Sequence, residues 1–166
     1  DDRGSGNTVV TAFMCYPYTE EDSFVVKEEF LQAGGFRIVK YLTYSTIIKT
    51  HSVKNDVSVT DALTNVNDPK EFYTHIGPNG LPYIGAYLNQ KDCIISKLQT
   101  IKSGNFEEKR NDSVFLRVGD EGIVDKILVT TDQSRIIVSV KLRITRIPQA
   151  GDKFAPRNAQ KGTIGT

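Results

Sequence analysis

Residue types that build specialised sites are scarce in this sequence, which has no tryptophan, one methionine, two cysteines and two histidines. Two cysteines are too few for the disulfide framework of a small secreted domain. Because Cys15 and Cys93 each lie in an apolar run, we expect free, buried thiols. His51 and His75 are isolated from each other and from the cysteines, which excludes the ligand spacing of a zinc site. No run of about 18 apolar residues is present, so we expect no membrane span, and we expect no signal peptide.

The sequence also lacks the motifs of covalent and phosphate-loop catalysis. No G-x-S-x-G motif and no Cys/His pattern supports a nucleophilic enzyme. A phosphate-binding loop needs glycine before lysine and a hydroxyl after it, whereas here Lys161 precedes Gly162. Two charged clusters therefore remain as candidate sites.

Charge is unevenly distributed along the 166 residues, although the net charge is only +1. Residues 1–37 carry seven acidic and three basic side chains, whereas residues 135–166 carry one acidic and seven basic side chains. Most of these charges are typical of solvated strand faces. An acidic first part and a basic last part nevertheless suit metal ions at one end and phosphates at the other.

Hydrophobic patterning predicts a mainly β protein, a β-barrel or sandwich with few short helices. Apolar, β-branched runs predict a buried strand over 7–16 and a long strand over 36–50. A short helix is expected within 27–35, because Gly34 and Gly35 suit the left-handed turn that ends a helix.

The clearest hairpin is predicted over 122–147, where "GIVDKILVTT" and "IIVSVKLRITRI" flank a turn at "DQSR". In its second strand, every second residue is apolar, at Val138, Val140, Leu142 and Ile144, and the residues between them are polar or basic. That period of two marks a half-buried strand with its cations outward. By contrast "KSGNFEEKRNDS", residues 102–113, predicts a polar, mobile loop.

The first charged cluster is "TEEDS", residues 19–23, which contains Glu20, Glu21 and Asp22. Three adjacent carboxylates repel one another, so they cost stability unless solvent or a cation relieves them. One interpretation is a solvated turn that caps the next element, and the cluster taken alone favours it. The other is a carboxylate offered to Mg²⁺, a hard ion that takes oxygen ligands and often keeps waters and substrate phosphates.

The second cluster is "GDKFAPRNAQKGTIGT", in which Lys153, Arg157 and Lys161 are spaced four residues apart. We expect Lys153 on a loop and the other two on the turn after Pro156, all aimed at one anion. Lysine binds phosphate as a point charge, and arginine can fork onto two oxygens. A solubilising basic tail is the alternative. It does not need the glycines at 151, 162 and 165, which indicate a tightly turning backbone or a close approach to a ligand.

The segment "IPQAGDKFAPRNAQKGTIGT" resembles the I-P-x-x-G-D-K-F-x-x-R-x-x-Q-K-G-x-I-G motif of the second-largest subunit of multisubunit DNA-dependent RNA polymerases, the bacterial β class. Three further segments are similar to segments of the same family, in the same order: "NTVVTAFMCYPYTEEDSFVV", "DCIISK" and "EGIVDKILVTTDQ". The similarity runs through nearly the whole chain and is weakest over about 50–90. The sequence is therefore identified as a member of this family and looks like a fragment of the subunit.

The resemblance implies a division into three parts. Residues 1–37 and 148–166 correspond to pieces of a hybrid-binding domain beside the active centre. Residues 38–147 correspond to the wall, the bacterial flap, a β-rich domain that turns the RNA–DNA hybrid. Because the wall is bracketed by the other two parts, we expect residues 1–37 and 148–166 to come together in space.

The resemblance also implies roles for both charged clusters. Asp22 falls on the family's carboxylate near the nucleotide-borne Mg²⁺, with Glu21 beside it. Lys153 and Lys161 fall on the two lysines that approach phosphates of the RNA 3′ end and the incoming nucleotide, and they are the expected catalytic residues. Further NTP or nucleic-acid contacts are expected from the same motif, at Arg157 and Gln160.

The implied partners are the largest and other polymerase subunits, the DNA template, the RNA transcript and NTPs. The aspartates that hold the first catalytic Mg²⁺ belong to the largest subunit, so the isolated chain is expected to be inactive. We expect an intracellular location, nuclear or cytoplasmic. Two alternatives to a polymerase-subunit fragment are a stand-alone β-barrel that binds nucleic acid without catalysis, and a soluble β domain that binds only proteins.

The chain departs from the family pattern at two places. The family usually has His-Gly where this chain has Asn158 and Ala159, and "YPY" is one residue shorter than the usual Tyr-x-Gly-Tyr. These altered neighbours suggest a divergent lineage, such as the polymerase of a large DNA virus or a plasmid.

Overall fold

The structure is a computed structural model that describes residues 6–17, 19–54, 57–66, 70–132 and 135–165. It is mainly β, with a curled half-barrel sheet and few helical residues, which confirms the predicted fold class. Within these ranges no helix combines the length and the apolar character needed to cross a membrane.

The elements are short at both ends of the chain and long in its middle. The helical segments are α1 (Glu28–Gln32) and a 3₁₀ turn at Lys70–Tyr73. The strands are, in chain order, β1 (Ser23–Phe24), β2 (Ile38–Lys49), β3 (Ser52–Lys54), β4 (Val57–Leu63), β5 (Tyr87–Leu88), β6 (Cys93–Ile95), β7 (Lys97–Ser103), β8 (Phe106–Asn111), β9 (Val114–Phe115), β10 (Gly122–Asp132), β11 (Arg135–Arg146), β12 (Lys153–Phe154) and β13 (Gly162–Ile164). They pair in the orders β1-β13-β12, β2-β11-β10-β5, β3-β4-β7-β8 and β6-β9.

The chain divides into two compact units. Unit 1 combines Asp1–Val39 with Thr145–Thr166, and unit 2 is Lys40–Ile144. The assignment of parts of the chain to hybrid-binding and wall domains stays a prediction.

The core of unit 2 is built on the hairpin of β10 and β11, which pair antiparallel as predicted. The turn between them lies partly outside the described residues. Val138, Val140 and Leu142 are fully buried, which confirms the alternation seen in the sequence. Around them packs an aliphatic cluster that includes Ile48, Leu88, Ile94, Ile95, Leu116 and Val124. The predicted long strand is also present, as β2.

The prediction of a loop over 102–113 is wrong, because the segment contains the end of β7 and the whole edge strand β8. This edge strand pairs antiparallel with β7. Lys102 lies directly opposite Glu107, with the two charged groups 3.4 Å apart. Gly104 takes a φ of 56° in the tight turn. Polar composition predicted a loop, but opposite charges across a ladder stabilise an exposed strand pair.

The prediction of a buried strand over 7–16 is also wrong. This segment is outside the strands and its side chains are exposed, Val10 and Phe13 almost completely. A strand needs a neighbour for its backbone N–H and C=O groups, and no described strand pairs with it. Both cysteines are free, but Cys15 is exposed and only Cys93 is buried, so the prediction of burial holds for Cys93 alone.

Candidate functional site

The two charged clusters lie together in a small sheet of unit 1. In this sheet β13 pairs parallel with β1 on one side and antiparallel with β12 on the other, so Ser23, Thr163 and Lys153 form one row. The Thr163 N–H donates to the Asp22 carbonyl at 3.1 Å. This pairing brings segments of 1–37 and 148–166 together, as expected from their positions on either side of 38–147.

The small sheet has one polar and one aromatic face, because successive strand residues point in opposite directions. Ser23, Thr163 and Lys153 share the polar face. On the other face the rings of Phe24 and Phe154 meet edge to face, with centroids 6.2 Å apart. Burial of the aromatic face thus determines the direction in which Lys153 leaves the sheet.

The helix α1 completes the aromatic face. Phe30 of this helix contacts Phe36 with ring centroids 5.2 Å apart, and Phe36 contacts Phe154 at 4.5 Å. The helix ends as predicted, since Gly34 has a φ of 95°. A Cβ at Gly35 would lie 2.2 Å from the Phe30 ring, so this glycine permits the close packing of the helix end.

The acidic cluster forms a turn at the start of β1. The Ser23 N–H donates to the Glu20 carbonyl at 2.9 Å, and the Glu20 N–H donates to the Ser23 hydroxyl oxygen at 2.6 Å. Glu21 occupies the left-handed region, with a φ of 45°. The turn therefore has a structural role, but the Glu21 and Asp22 carboxylates remain exposed and available to a ligand.

These carboxylates fit part of a Mg²⁺ site and not a whole one. Among the described residues there is no group of three or more His, Cys, Asp or Glu side chains placed to hold a metal ion. Mg²⁺ commonly takes one or two protein carboxylates and fills its remaining positions with waters and substrate phosphates. Glu21 and Asp22 are therefore suitable ligands only for an ion that arrives with other ligands.

The basic cluster is a short hairpin. Lys153 lies on β12, so its predicted position on a loop is wrong. Lys161 directly precedes β13, two residues before the Thr163 that pairs with Lys153. Diagonal positions of this kind in a ladder lie about 7–8 Å apart, which is within the reach of two lysines converging on one anion.

The loop of this hairpin holds the remaining candidates. Arg157 lies in the turn after Pro156, where the Ala159 N–H donates to the Pro156 carbonyl at 3.0 Å. Gln160 follows in the same loop and is exposed. Ala159 has a φ of 64°, a conformation that favours glycine.

All three cations of the cluster are available for binding. Lys153, Arg157 and Lys161 are exposed, and none forms an ion pair with another described residue. Each would therefore meet an anion without first breaking an internal contact.

A pair of residues that the sequence reasoning did not identify braces the segment before Lys153. Arg146 donates from Nη2 to Asp152 Oδ1 at 2.6 Å, and the Gln149 N–H donates to Asp152 Oδ2 at 3.0 Å. Arg146 thus braces the loop that leads to Lys153. The sequence feature that could have identified this pair is Asp152, the one acidic residue of 135–166, a segment with seven basic residues.

Gly151 and Gly162 of the basic cluster are needed for different structural reasons. Gly151 has a φ of 94° with open space around it, so it is needed for its conformation. A Cβ at Gly162 would lie 3.0 Å from the Phe24 ring and 3.1 Å from the Asp22 carbonyl. The close approach at Gly162 is therefore to the neighbouring strand β1.

Comparison with known proteins agrees with the motifs. The family model of RNA polymerase Rpb2, domain 6, matches residues 1–166. The chain is 35% identical to the DNA-directed RNA polymerase II subunit RPB2 of Schizosaccharomyces pombe, over 97% of this chain and 14% of that protein. It is 34% identical to the DNA-directed RNA polymerase subunit Rpo2 of Sulfolobus acidocaldarius, over 99% of this chain and 16% of that protein.

A viral protein is also similar. The probable DNA-directed RNA polymerase II subunit RPB2 homolog of Invertebrate iridescent virus 3 is 31% identical, over 97% of this chain and 14% of that protein. The chain thus spans only a small part of the length of each of these relatives. A match over the full chain, by the family model and by relatives from eukaryotes, archaea and a virus, leads to one conclusion. The chain belongs to the RNA polymerase Rpb2 domain 6 family, part of the second-largest RNA polymerase subunit.

Proposed function

We propose that this chain acts within a DNA-directed RNA polymerase, where its basic hairpin positions phosphates of the RNA 3′ end and of the incoming NTP. The observation that carries the proposal is the arrangement of unit 1. Pairing of β1 with β13 holds the Glu21–Asp22 turn beside the segment that bears Lys161, and β12 adds Lys153.

The lysines would act by electrostatic stabilisation. Phosphoryl transfer develops and moves negative charge on phosphate oxygens, so fixed cations supply much of the catalysis. Lys153 leaves a strand anchored by Phe154 on its other face, and Asp152 beside it is braced by Arg146. These contacts fix the backbone at Lys153, so little rearrangement of the protein is needed when a phosphate binds.

The carboxylates of Glu21 and Asp22 would contribute ligands to the Mg²⁺ that accompanies the NTP. When bound, this ion supplies neutralisation of phosphate charge. The remaining ligands would come from the NTP and from the largest subunit, and unit 2 would serve as the wall that guides the RNA–DNA hybrid. On this proposal the isolated chain catalyses nothing.

The test is single-nucleotide addition by reconstituted polymerase on a preassembled RNA–DNA scaffold, which bypasses promoter binding. Replacing Lys153 or Lys161 by alanine removes one charge-assisted phosphate contact, and elongation should fall roughly ten- to a hundredfold. Lys→Arg should restore only part of the rate, because a planar guanidinium does not occupy the place of a compact ammonium.

Lys27→Ala is the matched control, since Lys27 is an exposed lysine of the same unit whose partner is Glu29 at 3.7 Å. It should leave the rate unchanged. In the same assay Asp22→Asn should slow addition, with partial relief at raised Mg²⁺. Assembled Lys153→Ala and Lys161→Ala enzymes that extend RNA at the wild-type rate would refute the proposed phosphate contacts.

A further inference from the structure

The strand β2 has an open edge in unit 2. It is the first strand of the order β2-β11-β10-β5 and has its one described neighbour in β11. Outside that sheet, no backbone group of Leu42–Ser45 hydrogen-bonds to the backbone of another described residue. On the side away from β11, Leu42–Ser45 therefore present N–H and C=O groups without strand partners in the described part of the chain, which is the feature that a further strand can use.

A groove runs along this edge. It has a volume of about 420 Å³ and is lined by Leu42, Thr43, Tyr44 and Ser45 on one side and by Val114, Phe115, Arg117 and Asp120 on the other. Successive residues of a strand point to opposite faces, so a groove that touches four in a row lies along the strand edge. The volume falls within the range of sites that bind small ligands, which suits a few residues of extended chain.

The far wall of the groove is held in place by one tyrosine. The Tyr44 hydroxyl donates to Asp120 Oδ2 at 2.5 Å and accepts the Arg117 N–H at 3.1 Å. Burial, followed by the hydrogen bond to Asp120, raises the pKa of Tyr44 and keeps this hydroxyl a donor. The spacing between the β2 edge and the loop at 117–120 is therefore set before any partner binds.

The groove is lined by two charged side chains, Asp120 and Arg117. The Asp120 carboxylate is half-buried and already accepts a hydrogen bond from Tyr44. The Arg117 side chain is exposed and forms no ion pair with any other described residue. A guanidinium in this position favours a carboxylate, which it can bind with two parallel hydrogen bonds.

We propose that the β2 edge groove binds an extended segment of a partner protein, which adds to β2 as a strand and places an acidic side chain against Arg117. Main-chain hydrogen bonds supply affinity in this mode of recognition, and the side-chain contact supplies specificity. The proposal concerns unit 2 alone and does not depend on the function proposed for unit 1.

The test uses the 166-residue chain and two fluorescein-labelled hexapeptides of alternating threonine and valine, one with a central aspartate and one with a central lysine. Fluorescence anisotropy should show about tenfold tighter binding of the aspartate peptide, because it alone pairs with the guanidinium. Hydrogen exchange should slow at amides of Leu42–Ser45 when this peptide is present.

Arg117→Glu should reverse the preference between the two peptides, since it reverses the charge without removing the backbone N–H that bonds Tyr44. Arg110→Glu, a charge reversal at an exposed arginine of β8, should leave the preference unchanged. Absence of binding by the aspartate peptide at millimolar concentration, equal affinity for the two peptides, or protection outside β2 would each overturn the proposal. So would tighter binding of a labelled uridine hexanucleotide with the same protection.

Discussion

The two units of this protein differ in what holds them together. Unit 1 is built on strands of two or three residues whose buried face is a group of phenylalanine rings. Unit 2 contains most of the length of β2 and β11, strands of 12 residues, and an aliphatic core whose central side chains have no exposed surface. Because few contacts fix a short strand, unit 1 depends more on each of them.

The lysines of the candidate site in unit 1 also differ from two lysines of unit 2 in how they are paired. In unit 2, Lys97 is almost buried and its ammonium lies 2.6 Å from the Asp112 carboxylate, and Lys102 pairs with Glu107. In unit 1, Lys153 and Lys161 have no such partner among the described residues. Cations paired within the chain stabilise the fold, whereas unpaired cations on a small anchored sheet are free to bind a ligand.

Thiol reactivity gives the largest contrast between the units. Burial raises the pKa of the Cys93 thiol in unit 2 to about 12 from its ordinary value of 9.0, whereas Cys15 in unit 1 is exposed. The raised pKa alone lowers the thiolate fraction of Cys93 at pH 8 roughly a thousandfold. Iodoacetamide at pH 8 should therefore modify Cys15 within minutes and leave Cys93 intact until unit 2 unfolds, as read by mass spectrometry of tryptic peptides.

The raised pKa of Cys93 also makes the stability of the fold depend on pH. Folding favours the neutral Cys93 thiol, so its contribution to stability is complete below pH 9.0 and is lost as the pH rises towards about 12. In the iodoacetamide experiment, equal labelling of Cys15 and Cys93 in the native chain would contradict the burial of Cys93.

Core truncation in unit 2 should have the next largest effect. Leu142 is fully buried on β11, and Leu142→Ala should lower the free energy of unfolding by about 2–5 kcal/mol. Leu128→Ala is the matched control on the same hairpin, because Leu128 is 53% exposed, and its cost should be within about 0.5 kcal/mol. Urea unfolding followed by circular dichroism measures both, and similar costs would show that the hairpin does not bury the predicted face.

Replacement of Ala159 by glycine in unit 1 should have the smallest effect, a small increase in the free energy of unfolding. Ala159 has a φ of 64°, a left-handed conformation that costs an L-residue about 1–2 kcal/mol. Ala159→Gly removes this strain but adds backbone entropy to the unfolded state, so a net gain of about 0.5–1 kcal/mol is expected. Thermal unfolding measures it, with Ala155→Gly in the same hairpin as a control that should stabilise nothing.

The comparison of the units also explains where prediction from sequence succeeded. The β10–β11 hairpin was predicted because alternation along Val138, Val140 and Leu142 is a local signal for a sheet with one buried face. Helix α1 was predicted because Gly34 accepts the left-handed conformation that ends it. The family motifs named Lys153, Lys161 and the acidic pair as candidates, and their roles stay predictions, but the positions of their side chains were not contained in those motifs.

What the sequence determined by itself is the mainly β fold, the long hairpin and the family. These follow from period-two patterning and from residue order within motifs, both of which are properties of neighbouring residues. Tertiary structure decided that 7–16 is exposed, that 106–111 joins a ladder, and that Arg146 braces Asp152. The physical reason is that strand pairing and ion pairing each need a second segment or residue, so a segment's own composition does not state whether it has a partner.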